Sequence, residues 1–140
     1  MSVPVVQARG LNHVGILTDD LDSVRHVLGD LMGLEVIGPE AEPELGLEVL
    51  WVLAGAVRLE FLRPTDPESR AAQAMAAGQR GVHHVAFTVD DAAQALDSLR
   101  AAGIAARDSQ PRLGVHGSRI GFLDPNAVAG ALVEVVQEKG

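Results

Sequence analysis

The apolar positions fall into short runs separated by turns and by two stretches of helical spacing. Residues 11–17 (LNHVGIL), 34–38 (LEVIG), 47–53 (LEVLWVL) and 57–62 (VRLEFL) have the length and aliphatic content of strands. Ala54-Gly55-Ala56 predicts a hairpin between the last two. After the first run, Leu21, Val24, Leu28 and Leu31 recur at helical spacing, with Asp20 placed to cap the first turn and Gly33 to end the helix. Pro39 to Pro43 reads as an acidic, turn-rich loop. The second half repeats this order. Residues 82–89 (VHHVAFTV) predict a strand, and Asp90 or Asp91 caps a helix that turns Ala95, Leu96 and Leu99 inward and stops at Gly103. Residues 104–107 read as a weak strand. A Gly-rich loop, RLGVHGS at 112–118, precedes strands at 119–123 and 131–136. Pro64 to Arg80 joins the halves through a short Ala-rich helix that Pro67, Glu68 and Ser69 open and Gly78 ends.

The order is therefore β-α-β-β-β, connector, β-α-β-β-β. His13 and His84 are 71 residues apart, and Glu60 and Glu134 are 74 apart. A period that long marks a duplicated half-domain rather than a solenoid unit. The expected fold is α+β: two βαβββ modules whose sheets join into a curved, half-open cup. One domain spanning 1–140 is expected, with module 1 at about 10–63, a connector at 64–81 and module 2 at about 82–137.

Each module carries the same chemistry. HVGILTDD (13–20) and HVAFTVDD (84–91) are strands with a histidine at the start and two aspartates at the end. Near the end of each module an acid sits among aliphatic neighbours, Glu60 in VRLEFL and Glu134 in ALVEVV, where burial is costly unless the charge is neutralised. Strand alternation puts Glu60 on one face with Arg58 and Leu62, and Glu134 with Leu132 and Val136. Taken singly, each histidine reads more readily as a hydrogen-bonded core residue, and each acid as an edge-strand residue facing water. Taken as a symmetric set, His13, Glu60, His84 and Glu134 read as the ligands of one divalent metal. Imidazole and carboxylate suit Zn, Mn, Co, Ni or Fe, and four such ligands leave an octahedral ion room for two substrate oxygens or water. His83 points to the other face of its strand, His26 reads as a surface residue, and His116 is a candidate for the mouth of the cup.

Composition narrows the function classes. Hydrophobic residues make up 47% of the 140, so a packed core is expected. Aromatics are only 3%, with one tryptophan and no tyrosine, which weighs against base stacking on single-stranded nucleic acid. The formal charge of −8 repels DNA and anionic lipid. A small anionic ligand would feel local cations instead, and Arg63, Arg112 and Arg119 lie beside the segments of interest. With no cysteine there is neither disulfide nor thiolate ligand. The first residues lack the pattern of a signal peptide, and no run is long enough for a membrane span. A soluble cytoplasmic protein is expected.

The repeat, the ligand types and their order resemble the vicinal-oxygen-chelate superfamily, which includes glyoxalase I, extradiol dioxygenases, drug-resistance proteins and methylmalonyl-CoA epimerases. The likeness covers about residues 10–137 and is nearest to the epimerases. It rests on LNHVGILTDDLDSV, ELG before the third strand, LEFLRP with TDPES after the fourth, GVHHVAFTVDD, and LGVHGSRIGFLDPNAVAGALVEVVQ. The chain departs from the epimerase pattern at Leu45, where Gln is common, and at Asp124-Pro125-Asn126, where His-Pro-Lys is common.

The resemblance implies a metal-dependent epimerase of a small acyl-CoA, with methylmalonyl-CoA as the foremost substrate. His13, Glu60, His84 and Glu134 match the family's metal ligands, and Glu44 its second catalytic acid. Proton transfer through a metal-stabilised enolate would use Glu134 on one face and Glu44 on the other. A homodimer is expected, with no nucleic-acid or membrane partner. The alternatives are a glyoxalase-I-like isomerase of a glutathione hemithioacetal, in which Glu44 has no needed role, and a non-catalytic protein that sequesters a small drug.

Overall fold

The computed structural model describes residues 3–140. The chain divides into two compact units: residues 13–83, and residues 84–140 together with the N-terminal segment through Asn12.

In the unit of residues 13–83, β1 (Leu11–Leu17) is followed by α1 (Leu21–Val24), which runs on in π-helical geometry over Arg25–Leu31. Then come β2 (Glu35–Glu42), β3 (Leu47–Ala54), β4 (Val57–Pro64) and α2 (Arg70–Ala76). The strands lie in the order β2-β3-β4-β1, antiparallel except for the parallel pairing of β4 with β1. Asp20 caps α1, accepting from the Ser23 N–H at 3.0 Å. Its carboxyl is held below the ordinary aspartate range, chiefly by the Ser23 hydroxyl and then by that N–H. Period-2 alternation then divides the sheet into two faces. Ile16, Leu50, Val52, Leu59 and Phe61 pack under Leu21, Val24 and Leu28 of the helix. His13, Leu17, Val49, Trp51, Glu60 and Leu62 occupy the opposite face.

The other unit repeats the scheme with β5 (Gly81–Thr88), α3 (Ala92–Ala101), β6 (Arg112–Leu113), β7 (Arg119–Phe122) and β8 (Val133–Gln137), ordered β5-β8-β7-β6. Asp91 is the residue that caps α3, through the Gln94 N–H at 3.0 Å. Asp90 instead pairs with Arg9 at 2.8 Å, and that hydrogen bond, followed by the guanidinium charge, holds its carboxyl below the usual range. Ala92, Ala95 and Leu96 of α3 seat on Val89, Leu123 and Val135. Gly121 makes this close approach possible, because a Cβ there would stand 2.7 Å from Leu96 Cδ1. Ala86, Ile120, Phe122 and Val136 pack on the opposite face.

Three sequence expectations change. The segment Pro39–Glu42 is not a loop but the second part of β2. Its register against β3 shifts between Ile37 and Glu40, which is how a strand with one unpaired side accommodates a proline. The helix after β1 widens into π-geometry, with Met32 N–H donating back to the Val27 carbonyl. The strand expected at 104–107 is reduced to one bridge, Ala106 to Leu123, and Arg112–Leu113 supplies the outer strand instead.

Leu96 is completely buried under β7 and β8. Leu96→Ala is expected to lower stability by about 2–5 kcal/mol, read from the urea midpoint. A loss under about 1 kcal/mol would mean that α3 is not anchored on this face.

Candidate functional site

Within the unit of residues 13–83, parallel register places Gly15 of β1 beside Glu60 of β4, and antiparallel register places Trp51 of β3 on its other side. Glycine leaves space above the sheet next to the acid, and the indole closes the opposite flank. His13, two residues before Gly15, shares that face. Its Nδ1 is 2.9 Å from Glu60 Oε2, and the two side chains are 8% and 7% exposed.

Within the other unit the same arrangement recurs with different residues. Ala86 of β5 lies beside Glu134 of β8, and Phe122 of β7 is on the far side. His84 Nε2 is 3.8 Å from Glu134 Oε2, both side chains 4% exposed, and both belong to a buried set of possible metal donors. The Phe122 ring meets the His84 imidazole edge-on, with centroids 5.1 Å apart. This quadrupolar contact fixes the ring plane of the histidine.

Both acids therefore occupy inner strands and are buried, Glu60 to 5% and Glu134 to 3% exposure. The reading of edge-strand acids facing water does not hold. Nor are the histidines isolated in a greasy core, since each stands against a carboxylate. An ionised carboxylate in such surroundings needs a proton or a cation between it and its neighbour. Two donors that share one metal at about 2.0–2.2 Å each can be no more than about 4.4 Å apart. Each pair satisfies that bound by itself.

Glu44 is exposed, in a 3-10 turn over Pro43–Leu45. The turn is held firmly from behind. Gly46, with φ +65, accepts at its carbonyl from the Thr65 N–H at 2.8 Å and the Asp66 N–H at 3.3 Å. A Cβ on Gly46 would stand 2.7 Å from the Asp66 Cβ and 3.1 Å from the Ser69 Cβ. Ser69 in turn caps α2 through the Ala72 N–H. Two of the sequence blocks noted above, ELG and TDPES, thus pack against each other.

The remaining histidines lie elsewhere. His26 is exposed, 3.4 Å from Asp30. His83 is on the opposite side of β5 from His84. His116 is exposed in a turn, with φ +59. The aromatic flanks Trp51 and Phe122 were not singled out by the sequence reading, yet they too are 71 residues apart, the same interval as the histidines. Extending the repeat beyond the charged residues would have found them. The acids are 74 apart because the second module needs three more residues between aromatic and acid, spent in the 3-10 turn Pro125–Val128.

Comparison with known proteins agrees with this organisation. Residues 12–122 match the family model described as the glyoxalase/bleomycin resistance protein/dioxygenase superfamily. An ethylmalonyl-CoA/methylmalonyl-CoA epimerase of Cereibacter sphaeroides is 33% identical over 129 residues, 91% of this chain and 96% of the relative. The mitochondrial methylmalonyl-CoA epimerase of Bos taurus is 33% identical over 135 residues, 96% of this chain and 77% of the relative. A variant of Streptomyces coelicolor methylmalonyl-CoA epimerase, solved with 2-nitronate-propionyl-CoA, superimposes with a TM-score of 0.83 at 31% identity, covering 96% of this chain and 97% of its own. That likeness bears out the expected α+β fold class. No helix among the described residues is long and apolar enough to cross a membrane. The chain belongs to the glyoxalase/bleomycin resistance protein/dioxygenase superfamily, among its methylmalonyl-CoA epimerases.

Proposed function

We propose that this chain is an epimerase of a small acyl-CoA, methylmalonyl-CoA being the first substrate to test, and that it moves the proton on the carbon between thioester and carboxylate. The observation that carries this reading is a buried His–Glu pair in each unit together with a braced acidic turn, Pro43–Leu45, in one unit only. The names of the relatives at 33% identity support the substrate class.

His13, Glu60, His84 and Glu134 are the proposed ligands of one divalent cation, Co, Mn, Ni, Zn or Fe, within a single domain spanning the chain. The donor set fits such an ion in type, burial and spacing within each pair. When bound, the cation supplies Lewis-acid stabilisation of negative charge developing on the substrate oxygens. Glu134 takes the α-proton from one face, leaving the C–H electron pair in a planar enolate. Glu44 delivers a proton to the other face, forming the new C–H bond and inverting the centre. The roles exchange for the opposite epimer, and after each inversion the proton gained by Glu134 leaves to water while Glu44 regains one from water, so protons balance over the cycle. A cytoplasmic homodimer is the proposed working form, and a sedimentation mass of one chain would remove the dimer.

Glu44→Gln is expected to slow epimerisation by about a hundredfold or more while metal content stays unchanged. Full epimerisation by that variant would remove Glu44 from the chemistry, and absence of epimerisation by the wild type alongside turnover of a glutathione hemithioacetal would point to the glyoxalase-like isomerase instead. Gly46→Ala puts a side chain in the left-handed region against Asp66. It is expected to displace the turn and slow epimerisation about tenfold or more, again with metal retained. Exhaustive chelation is expected to abolish activity and lower the melting temperature, and added Co to restore both. An unchanged melting curve and rate after verified metal removal would exclude a structural or catalytic cation.

A further inference from the structure

We propose that Arg112 is the anion-receiving residue of this site, accepting the substrate's anionic oxygens, carboxylate or CoA phosphate, on its guanidinium. The inference rests on the epimerase reading above and adds a specificity-determining residue to it.

Strand parity singles this arginine out. Arg112 is opposite Ile120 across the β6–β7 pair, and Ile120 shares its face with Phe122, the flank of Glu134. Of the three arginines beside the site segments, the other two face away. Arg63 alternates with Phe61, on the face under α1, and pairs with Glu48 at 3.2 Å. Arg119 is exposed and alternates with Gly121, which faces Leu96. The Arg112 guanidinium lies 5.4 Å from the centroid of the Phe122 ring, and the same ring contacts His84. The Phe122 ring thus contacts both the Arg112 guanidinium and the imidazole of the buried His84–Glu134 pair.

The arginine is also held for the task. Asp108 Oδ1 lies 3.4 Å from its Nε, while Asp108 Oδ2 accepts the Phe122 N–H at 2.9 Å. One carboxylate therefore links the guanidinium to the Phe122 backbone, lowering the entropy lost when a ligand is gripped. Stacking leaves the planar fork of N–H donors suited to a carboxylate or phosphate. The side chain is 31% exposed, so a ligand can reach it. In the other module the position 71 residues earlier is Ala41. Arg112 is therefore not part of the repeated scaffold.

Equilibrium binding by calorimetry tests this on the intact protein, with methylmalonyl-CoA and methylmalonyl-pantetheine as probes. Arg112→Gln is expected to raise Kd for methylmalonyl-CoA about tenfold or more, Arg112→Lys by less, and Arg119→Gln not at all. An equal penalty on the pantetheine probe assigns the carboxylate to Arg112. A penalty confined to the CoA probe assigns a phosphate. Unchanged Kd in Arg112→Gln, an equal loss in Arg119→Gln, or no wild-type binding of either probe overturns the proposal. Tight, Arg112-dependent binding without turnover would sink the epimerase reading alone. If Arg112→Gln does not fold, Arg112→Lys decides: a Kd raised about threefold at an unchanged melting temperature supports the role, and an unchanged Kd overturns it.

Discussion

Two carboxylates buried inside aliphatic sheets set the terms for the rest of this molecule. Glu60 and Glu134 sit on inner strands, where neither water nor a strand edge can solvate them. Leaving such a charge unmatched costs several kcal/mol. Each is therefore given a histidine on the neighbouring strand, a small residue beside it (Gly15 or Ala86) and an aromatic on the other flank (Trp51 or Phe122). The small residue makes room for something to approach the acid, and the aromatic keeps bulk water off it. The proposed cation between imidazole and carboxylate would resolve the electrostatic conflict that this burial creates.

Strand alternation then separates stability from chemistry. On β8, Val133 and Val135 belong to the core under α3, while Glu134 and Val136 face the other way. On β4, Leu59 and Phe61 lie under α1 while Glu60 and Leu62 do not. Odd and even positions of one strand thus answer to different constraints. A change at Leu96 should therefore reach the core under α3 while leaving the opposite face, with Glu134, in place.

Most of this was legible because the duplication is written in residues with strong local preferences. The aspartates that cap, the glycines that turn and the aliphatic runs that pair gave the βαβββ order of both modules, and the acid in each last strand pointed to the buried His–Glu pairs. What escaped was decided by pairing partners that the local sequence does not name. Pro39 looked like the end of a strand, yet β2 continues past it with a register shift against β3. Residues 104–107 had apolar content enough for a strand, but only Ala106 finds a partner. The three arginines near the site were indistinguishable by proximity in sequence. Only the register of β6 on β7 shows that Arg112 alone of them shares the Phe122 face.

Two like His–Glu pairs do not by themselves tell the carboxylate end of a bound molecule from its thioester end. Any such direction has to come from residues the duplication did not keep. The interval of 71 residues aligns Pro43-Glu44-Leu45-Gly46 with Gly114-Val115-His116-Gly117, both 3-10 turns that close on a glycine with positive φ, +65 at Gly46 and +73 at Gly117. The second turn differs in backbone, kinking at His116 with φ +59, and it has Val115 at the position of Glu44. Arg112 against Ala41 is a second such difference, of opposite sign. An acid in one half and a cation in the other would give the proposed site a direction, as the proposed chemistry requires. A base must act on a defined face of the enolate, and the substrate's charged end must be told from its thioester end. Divergence at these turn and edge positions, with the buried pairs held constant, is what the proposed epimerase would use to set the orientation of its substrate.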